Sequence, residues 1–232
     1  MIELRYTESG FLVILPYDDP DLIIDAMLET DYREEFCVSL FFSADFIARL
    51  MEAGFLVMSA KDELGGYILI PKLHLTRSAL FFDKLIIKKS IKRHLGKYEL
   101  VFNSDFDTIV NRCLEKHGED WLTPPLVAAI RKIRQEKKHA AEPVSFALYR
   151  NGKLAAGEFG IKTGRVYTSY SGYYDEDNAG TVQLILTTRY LQENGYLFFD
   201  LGMPLTYKSG LGAVDISPDE FVKLFREGRL SK

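Results

Sequence analysis

Val144-Ser145-Phe146-Ala147-Leu148-Tyr149-Arg150-Asn151-Gly152-Lys153-Leu154-Ala155-Ala156-Gly157-Glu158-Phe159-Gly160 decides the fold of this 232-residue chain. Two runs, Val144–Arg150 and Lys153–Gly160, flank Asn151-Gly152, and an Asn-Gly pair supplies the two positive-φ residues that a tight hairpin turn requires. Outward from there, Lys162-Thr163-Gly164 reads as a second turn and Arg165–Gly172 as a third strand. A helix from about Ala179 stops before Gly195, and Tyr196–Leu201 reads as an aromatic, buried strand. Ser217-Pro218 opens a short final helix. The order β-β-β-α-β-loop-α predicts a mixed sheet.

The upstream half is less regular. Ser43 caps a helix running to about Gly54, and Phe55–Ala60 and Tyr67–Pro71 read as strands joined by Asp62-Glu63-Leu64-Gly65-Gly66. Ser104 and Asp107 resemble a capping box on a helix reaching roughly His117. Thr123-Pro124 is a helix start with an oxygen at the cap and proline at the first position. Repeats, low-complexity tracts and long linkers are absent from the sequence.

With 47% hydrophobic, 13% aromatic and 27% charged residues, the composition is that of a core-forming globular protein and excludes disorder. No apolar run approaches the roughly 18 residues of a membrane span. Met1-Ile2-Glu3-Leu4-Arg5 carries an early acid and no signal-peptide apolar core, so a cytoplasmic protein is expected. Cys37 and Cys113 read as buried thiols, and four scattered histidines argue against a metal site.

A net charge of −4 taken alone argues against a nucleic-acid partner. Its distribution does not. Residues 1–60 carry −9, residues 61–140 carry +6 and residues 141–232 carry −1. Lys88, Lys89, Lys92, Arg93 and Lys97 fall at helical spacing opposite Ile87, Ile91 and Leu95, and Arg131, Lys132, Arg134, Lys137 and Lys138 follow on another predicted helix. Such a row is either a solvated helix face or a phosphate-contacting stripe.

The chain resembles the bacterial leucyl/phenylalanyl-tRNA–protein transferases nearly throughout after residue 40. Ser43 through Gly54-Phe55 is similar to that family's Leu-Ser-Pro…Gly-Ile-Phe segment, and Arg77 through Ile91 follows R-x-V-L-F-P…H-V-S-R-S-L, with Lys89-Ser90 on its Arg-Ser pair. Trp121-Leu122-Thr123-Pro124 is similar to T-W-I-x-P, and Ser171, Tyr173 and Asn178-Ala179 fall on G-E-S-M-F-S and the Asn-Ala after it. Gly195 through Asp200 matches G-F-x-L-I-D, and Leu211-Gly212-Ala213 matches L-G-A. The resemblance implies an α+β protein: a small N-terminal α/β domain, residues 1–75, then an acetyltransferase-like (GNAT-type) mixed-sheet aminoacyl-transferase domain, residues 76–232. It also implies transfer of Leu or Phe from tRNA to the N-terminal amine of an acceptor protein or peptide, feeding N-end-rule degradation, by a monomer with no cofactor and no membrane.

Site residues carried over by the resemblance are Asp200 as the catalytic carboxylate, holding the acceptor ammonium, and Trp121, Tyr170, Ser171, Tyr173 and Tyr207 for substrate. Lys88, Lys89, Lys92, Arg93 and Lys97 would hold tRNA. The chain departs from the family where the chemistry lies: Gly202 replaces the Gln of I-D-x-Q, Tyr170 the Glu of G-E-S-M-F-S, Ala147 and Tyr149 the Glu and Trp of S-V-E-x-W, and Tyr207 the His before L-x-S-L-G-A. A tRNA- or peptide-binding relative with altered or lost activity is therefore the alternative. Each site residue also has a plain structural reading: Asp200 as a turn cap, Trp121 as core, Tyr170, Tyr173 and Tyr174 as cross-strand packing. Glu158 reads as an exposed strand charge, with an acidic recognition group as the other possibility. A CoA-dependent N-acyltransferase is disfavoured, because Asp175-Glu176-Asp177-Asn178-Ala179-Gly180 stands where a glycine-rich turn would meet a pyrophosphate.

Overall fold

Asn151 and Gly152 adopt φ of 51° and 73°, the left-handed pair their hairpin turn demands. In this computed structural model, which describes residues 4–30, 32 and 34–230, that turn joins two strands of a seven-stranded sheet. Met1–Glu3, read above for an export signal, lie outside the described residues. The chain begins with β1 (Arg5–Tyr6), β2 (Leu12–Val13), α1 (Pro20–Glu29), α2 (Ala44–Ala53), β3 (Leu56–Lys61) and β4 (Tyr67–Lys72). It continues through β5 (Arg77–Leu80), α3 (Lys89–Leu95), β6 (Glu99–Phe102), α4 (Phe106–His117), α5 (Pro124–Glu136), β7 (Ala141–Arg150), β8 (Lys153–Thr163) and β9 (Val166–Tyr174). The last elements are α6 (Ala179–Glu193), β10 (Phe198–Asp200), α7 (Thr206–Ser209), β11 (Val214–Ile216) and α8 (Pro218–Leu230).

The large sheet has the order β11-β5-β10-β9-β8-β7-β6. Only β9 and β10 run parallel, and α6 is the crossover that a parallel pair requires. This is the mixed α/β architecture expected from the sequence. Strand alternation gives the sheet two covered faces. Phe159 meets Phe106 of α4 edge-on at 5.9 Å, on a face also covered by α2 and α5. Phe146 meets Tyr190 of α6 on the other face, where Ala156 packs with Ala179 and Val182, and Ile91 and Leu95 of α3 close the flank. One contiguous core joins Leu12, Ile23, Phe46 and Val57 of the leading segment to Ile109, Phe159, Phe198 and Phe225.

Several local expectations shift. The α4 cap is Asp105, at φ 54°, rather than Ser104, whose hydroxyl binds the Asp105 carboxylate and not the helix N-terminus. The strand expected over Tyr196–Leu201 shortens to three residues, and the final helix runs for thirteen. Ile87 and Lys88 precede α3 and Lys97 follows it, instead of lying on it. Cys37 and Cys113 are buried free thiols, and burial pushes the Cys113 thiol up to about 12.

Close strand approach at Gly160 holds β8 against β9. A Cβ there would lie 2.2 Å from the Thr168 carbonyl oxygen and 2.8 Å from the Tyr167 ring. Backbone cannot yield as a flexible side chain can, so Gly160→Ala is expected to destabilise the fold by about 1–3 kcal/mol or more. Gly172→Ala, whose Cβ would meet its nearest neighbour at 3.2 Å, is expected to cost less. Urea unfolding of the two variants checks the ranking.

Candidate active site

The sheet changes character where β10 ends. β10 pairs with Val166, Tyr167 and Thr168 of β9 and stops at Asp200, while β9 continues to Tyr174. Just past that point β9 bulges: Gly160 pairs with Ser169 but Phe159 with Ser171, leaving Tyr170 as the extra residue. Tyr170 and Ser171 therefore emerge beside the segment that follows β10.

Asp200 closes this end. Its carboxylate accepts Nε and Nη2 of Arg77 at 2.8 and 2.6 Å, the Thr168 hydroxyl at 2.8 Å and the Gly202 amide at 3.0 Å. Both partners of the ion pair are buried, and the guanidinium lies 4.2 Å over the Phe221 ring. Burial raises the carboxyl's proton affinity, but Arg77 foremost, then Gly202 and Thr168, more than offset it, and the net shift is downward. Both oxygens are fully engaged. The expected direct hold on an acceptor ammonium finds no open oxygen here; in this geometry Asp200 positions the strand end.

Gly202, at φ 72°, places its N–H on Asp200 while its carbonyl accepts the Ser78 amide at 2.7 Å. A side chain at this left-handed position costs about 1–2 kcal/mol.

The remaining sequence candidates divide between surroundings. Trp121 and Tyr170 come together, ring centroids 6.4 Å apart, and the Tyr170 hydroxyl accepts the Val57 amide at 3.0 Å. Burial raises the Tyr170 phenol well above its ordinary value. Tyr173 is buried against α4, with Arg112 5.2 Å over its ring, and Ser171 sits beside the Cys113 thiol of the same helix. Tyr173 thus joins the core rather than a substrate surface. Tyr207 is half exposed on α7.

Glu158 corrects the sequence reading most. It is 4% exposed rather than a solvated strand charge. Its Oε2 accepts the Ser169 hydroxyl at 3.4 Å, and the buried Tyr167 phenol is its other hydrogen-bonding neighbour. Burial pushes its pKa up to about 7, opposed by Tyr167, Ser169 and the nearby Lys208 ammonium. Lys208 is itself buried and donates to the carbonyls of Leu201 and Met203 at 2.5 and 2.8 Å. Burial brings its pKa down to about 8. Lys208 gave no signal in the sequence; Glu158 shares its strand face with Ala156 and Gly160, a small-residue pattern that alone does not say the face is covered.

The two basic rows also separate. Arg131 binds Asp107 and Asn111, Arg134 binds Asn103 and the Pro143 carbonyl, Lys132 pairs with Glu136, and Lys138 with Asp45 and Glu136. Lys138 also supplies the cation between Asp45 and Glu136, which with His139 form the one group of clustered potential metal ligands among the described residues. By contrast Lys88, Lys89, Lys92, Arg93 and Lys97 are all exposed, and among the described residues none has a carboxylate within 4.0 Å. At the turn entering α6, Asp175 and Glu176 pair with Arg112 and Arg150 at 2.6 and 2.7 Å.

Fold and site define an α/β protein with an open strand edge and, packed on α6, a cationic helix without acidic partners among the described residues. The family model for leucyl/phenylalanyl-tRNA protein transferase matches residues 79–226, and the chain belongs to that family. Relatives named leucyl/phenylalanyl-tRNA–protein transferase include one from Pectobacterium atrosepticum, 28% identical over 159 residues (67% of this chain, 62% of that protein). Another, from Pseudomonas entomophila, is 29% identical over 151 residues, 62% of this chain and 65% of that protein. The chain thus spans less than two thirds of these relatives' length. Among solved structures, L-PGS from Bacillus licheniformis aligns over 97% of this chain and 88% of its own at 12% identity, with a TM-score of 0.45.

Two measurements test the site. Removing one partner of the buried ion pair strands the other, so Arg77→Met and Asp200→Ala are each expected to cost about 3–5 kcal/mol. The double variant should cost less than the sum of the two, read as a double-mutant cycle in urea. For Glu158 the folded pKa lies above the ordinary 4.5, so the folded state binds the extra proton. Relative to Glu158→Gln, the wild type is then most stable below about pH 4.5 and loses stability as pH rises to about 7, by about 3 kcal/mol in all. Unfolding curves across that window check the sign.

Proposed function

We propose that this protein transfers a hydrophobic amino acid, Leu or Phe, from aminoacyl-tRNA to the N-terminal amine of an acceptor protein, feeding N-end-rule degradation. The observation that carries the reading is the row Lys88, Lys89, Lys92, Arg93 and Lys97, exposed and without acidic partners inside the family-matched segment. An uncompensated row of cationic groups attracts phosphates and releases their counterions, whereas Arg131, Lys132, Arg134 and Lys138 spend their charge on neighbouring side chains and carbonyls.

The order β7-β8-β9-α6-β10, with its single parallel pair, supports an acetyltransferase-like reading of residues 76–232, preceded by a small domain over 1–75. Trp121 and Tyr170 form the aromatic wall on which the aminoacyl-adenosine end would rest, with Tyr207 across the open strand edge. No cofactor is needed: a bound ester is already activated, and holding two substrates in line supplies much of the acceleration, about 7–11 kcal/mol in favourable systems. Aminoacyl-tRNA and protein N-termini place the reaction in the cytoplasm, carried out by a monomer. No helix among the described residues is long and apolar enough to cross a membrane. The second reading, a binding relative that has lost transfer, draws on the closed shell of hydrogen bonds around Asp200.

Incubation with labelled leucyl- or phenylalanyl-tRNA and peptides beginning with each amino acid decides between them. Transfer to Arg- or Lys-led peptides is the expected result; salt-sensitive tRNA binding without transfer to any peptide overturns it in favour of the second reading. Lys88→Glu and Lys92→Glu should weaken tRNA binding and lower the salt slope by about one per residue. Lys132→Glu should leave both unchanged.

A further inference from the structure

We propose that Ser59 is a positioning residue of the aminoacyl site: acting through the Trp121 carbonyl, it holds the indole against Tyr170 and so sets the aromatic wall. The assignment rests on the aminoacyl-transfer reading above, and the geometry of β3 carries it.

Trp121 lies between α4 and α5, in the stretch 118–123 that belongs to no helix or strand. A side chain on such a segment has no ladder beneath it, so its orientation depends on individual hydrogen bonds. Among the described residues Trp121 accepts two, both at its carbonyl and both from Ser59: the amide at 2.9 Å and the hydroxyl at 3.2 Å. The same hydroxyl oxygen accepts the Thr123 hydroxyl at 2.7 Å and the Thr123 amide at 3.3 Å. Its one proton and both lone pairs are then in use, in a residue 1% exposed. Thr123 gives up its expected task for this contact. Its side chain makes no capping bond to α5, whose first two residues, Pro124 and Pro125, offer no N–H.

The strand reaches further than Trp121. Val57, two positions earlier on β3, donates its amide to the Tyr170 hydroxyl at 3.0 Å. Residues two apart on a strand direct their main-chain groups to the same edge, and here that edge turns away from β4. Leu69 and Pro71, which stand opposite Ser59 and Val57, turn theirs outward on the other side. Leu69 exchanges both its bonds with Ser39, and the Pro71 carbonyl accepts the Cys37 amide at 2.9 Å. At the start of β3, Leu56 Cδ2 would lie 3.9 Å from a Cβ at Gly202. One edge of β3 therefore binds both rings of the wall, and the same strand borders the turn that follows Asp200.

What Ser59 fixes is the backbone of Trp121. The indole itself stays half-buried, its ring tilted 48° to that of Tyr170 with centroids 6.4 Å apart. A planar ligand resting on this wall binds best when the indole is already in place, because no binding energy is then spent on ordering the loop. Without the hydroxyl, the carbonyl keeps only the amide and the ring moves against Tyr170. Such a change weakens ground state and transition state alike, so it shows in KM and not in kcat.

Trp121 is the only tryptophan of the chain, so its emission reports on the wall directly. The test compares wild type, Ser59→Ala and Ser145→Ala. Ser145 is the control for a merely structural role: it is as deeply buried and donates its hydroxyl to the Ser104 carbonyl at 2.7 Å, but on β7. Each protein is titrated by tryptophan fluorescence with an amide-linked phenylalanyl-adenosine, and assayed for peptide transfer from phenylalanyl-tRNA. Ser59→Ala is expected to shift the emission, and to weaken analogue binding and raise KM for the tRNA by about 5- to 10-fold with kcat little changed. Ser145→Ala should do none of these. Equal titration curves for the three proteins overturn the assignment and leave the transferase reading standing. So does a wild-type emission that ignores the analogue while transfer proceeds. Weakened analogue binding in a protein that transfers to no peptide supports the assignment and overturns the transfer reading; a wild type that neither binds nor transfers overturns both. Should Ser59→Ala fail to fold, Thr123→Val removes the partner of the same hydroxyl and is expected to act in the same direction. A Thr123→Val protein that titrates as wild type then overturns the assignment.

Discussion

Arg77 and Asp200 lie 123 positions apart in the chain and meet out of reach of water. An isolated carboxylate there would be prohibitive, and even a paired one is sustained only when its remaining lone pairs are filled. They are: Arg77 reaches in from β5, Thr168 from β9, and Gly202 from the turn after β10. Phe221 of α8 lies under the same guanidinium, which ties the last helix to this point as well. Four parts of the chain converge on one carboxyl, and the place where the parallel pair ends is set by that convergence.

What surrounds the node follows from it. Because β10 is pinned at Asp200, the outer half of β9 has no partner on that side, and the bulge at Tyr170 turns its side chains differently from a regular strand. The aromatic pair Trp121–Tyr170 lies with Phe159 on the α4 face, whereas Glu158 and the cationic α3 belong with α6 on the other. A polyanion docking on α3 would approach the face that holds Glu158. An exposed carboxylate there would work against the phosphates. A buried one with its pKa raised to about 7 is only half ionised at pH 7 and opposes them less.

The legible parts of the fold are those whose signals are local. The β7–β8 hairpin is written in Asn151-Gly152, α5 in Thr123-Pro124, and α6 in the apolar run closed by Gly195. β5 is not legible, because Arg-Ser-Ala-Leu is a four-residue strand buried throughout and flanked by β10 and β11, so alternation is missing and both partners are remote. Nothing local in the sequence pairs its arginine with Asp200, which lies 123 positions away. The site suffers twice from the bulge. Thr168 and Tyr170 share a face, and a regular strand would turn Tyr173 to the opposite one; the extra residue returns it to the α4 side and into the core. Asp200 was legible as a key residue but not as a saturated one, since three of its four hydrogen bonds come from β5 and β9.

Two departures from the family pattern have a definite structural role in this chain. Gly202 stands where the pattern has glutamine, and Asp200 receives a donor from that position through the main-chain amide. That donor exists only because φ is 72°, a conformation glycine adopts freely and glutamine does not. Across the bulge, Tyr170 stands where the pattern has an acid and spends its hydroxyl on the Val57 amide, while the buried acid of the neighbouring strand, Glu158, faces Tyr167 and Ser169. Tyr170 and Glu158 lie on opposite faces of the sheet, Glu158 on the one that also carries α3 and α6.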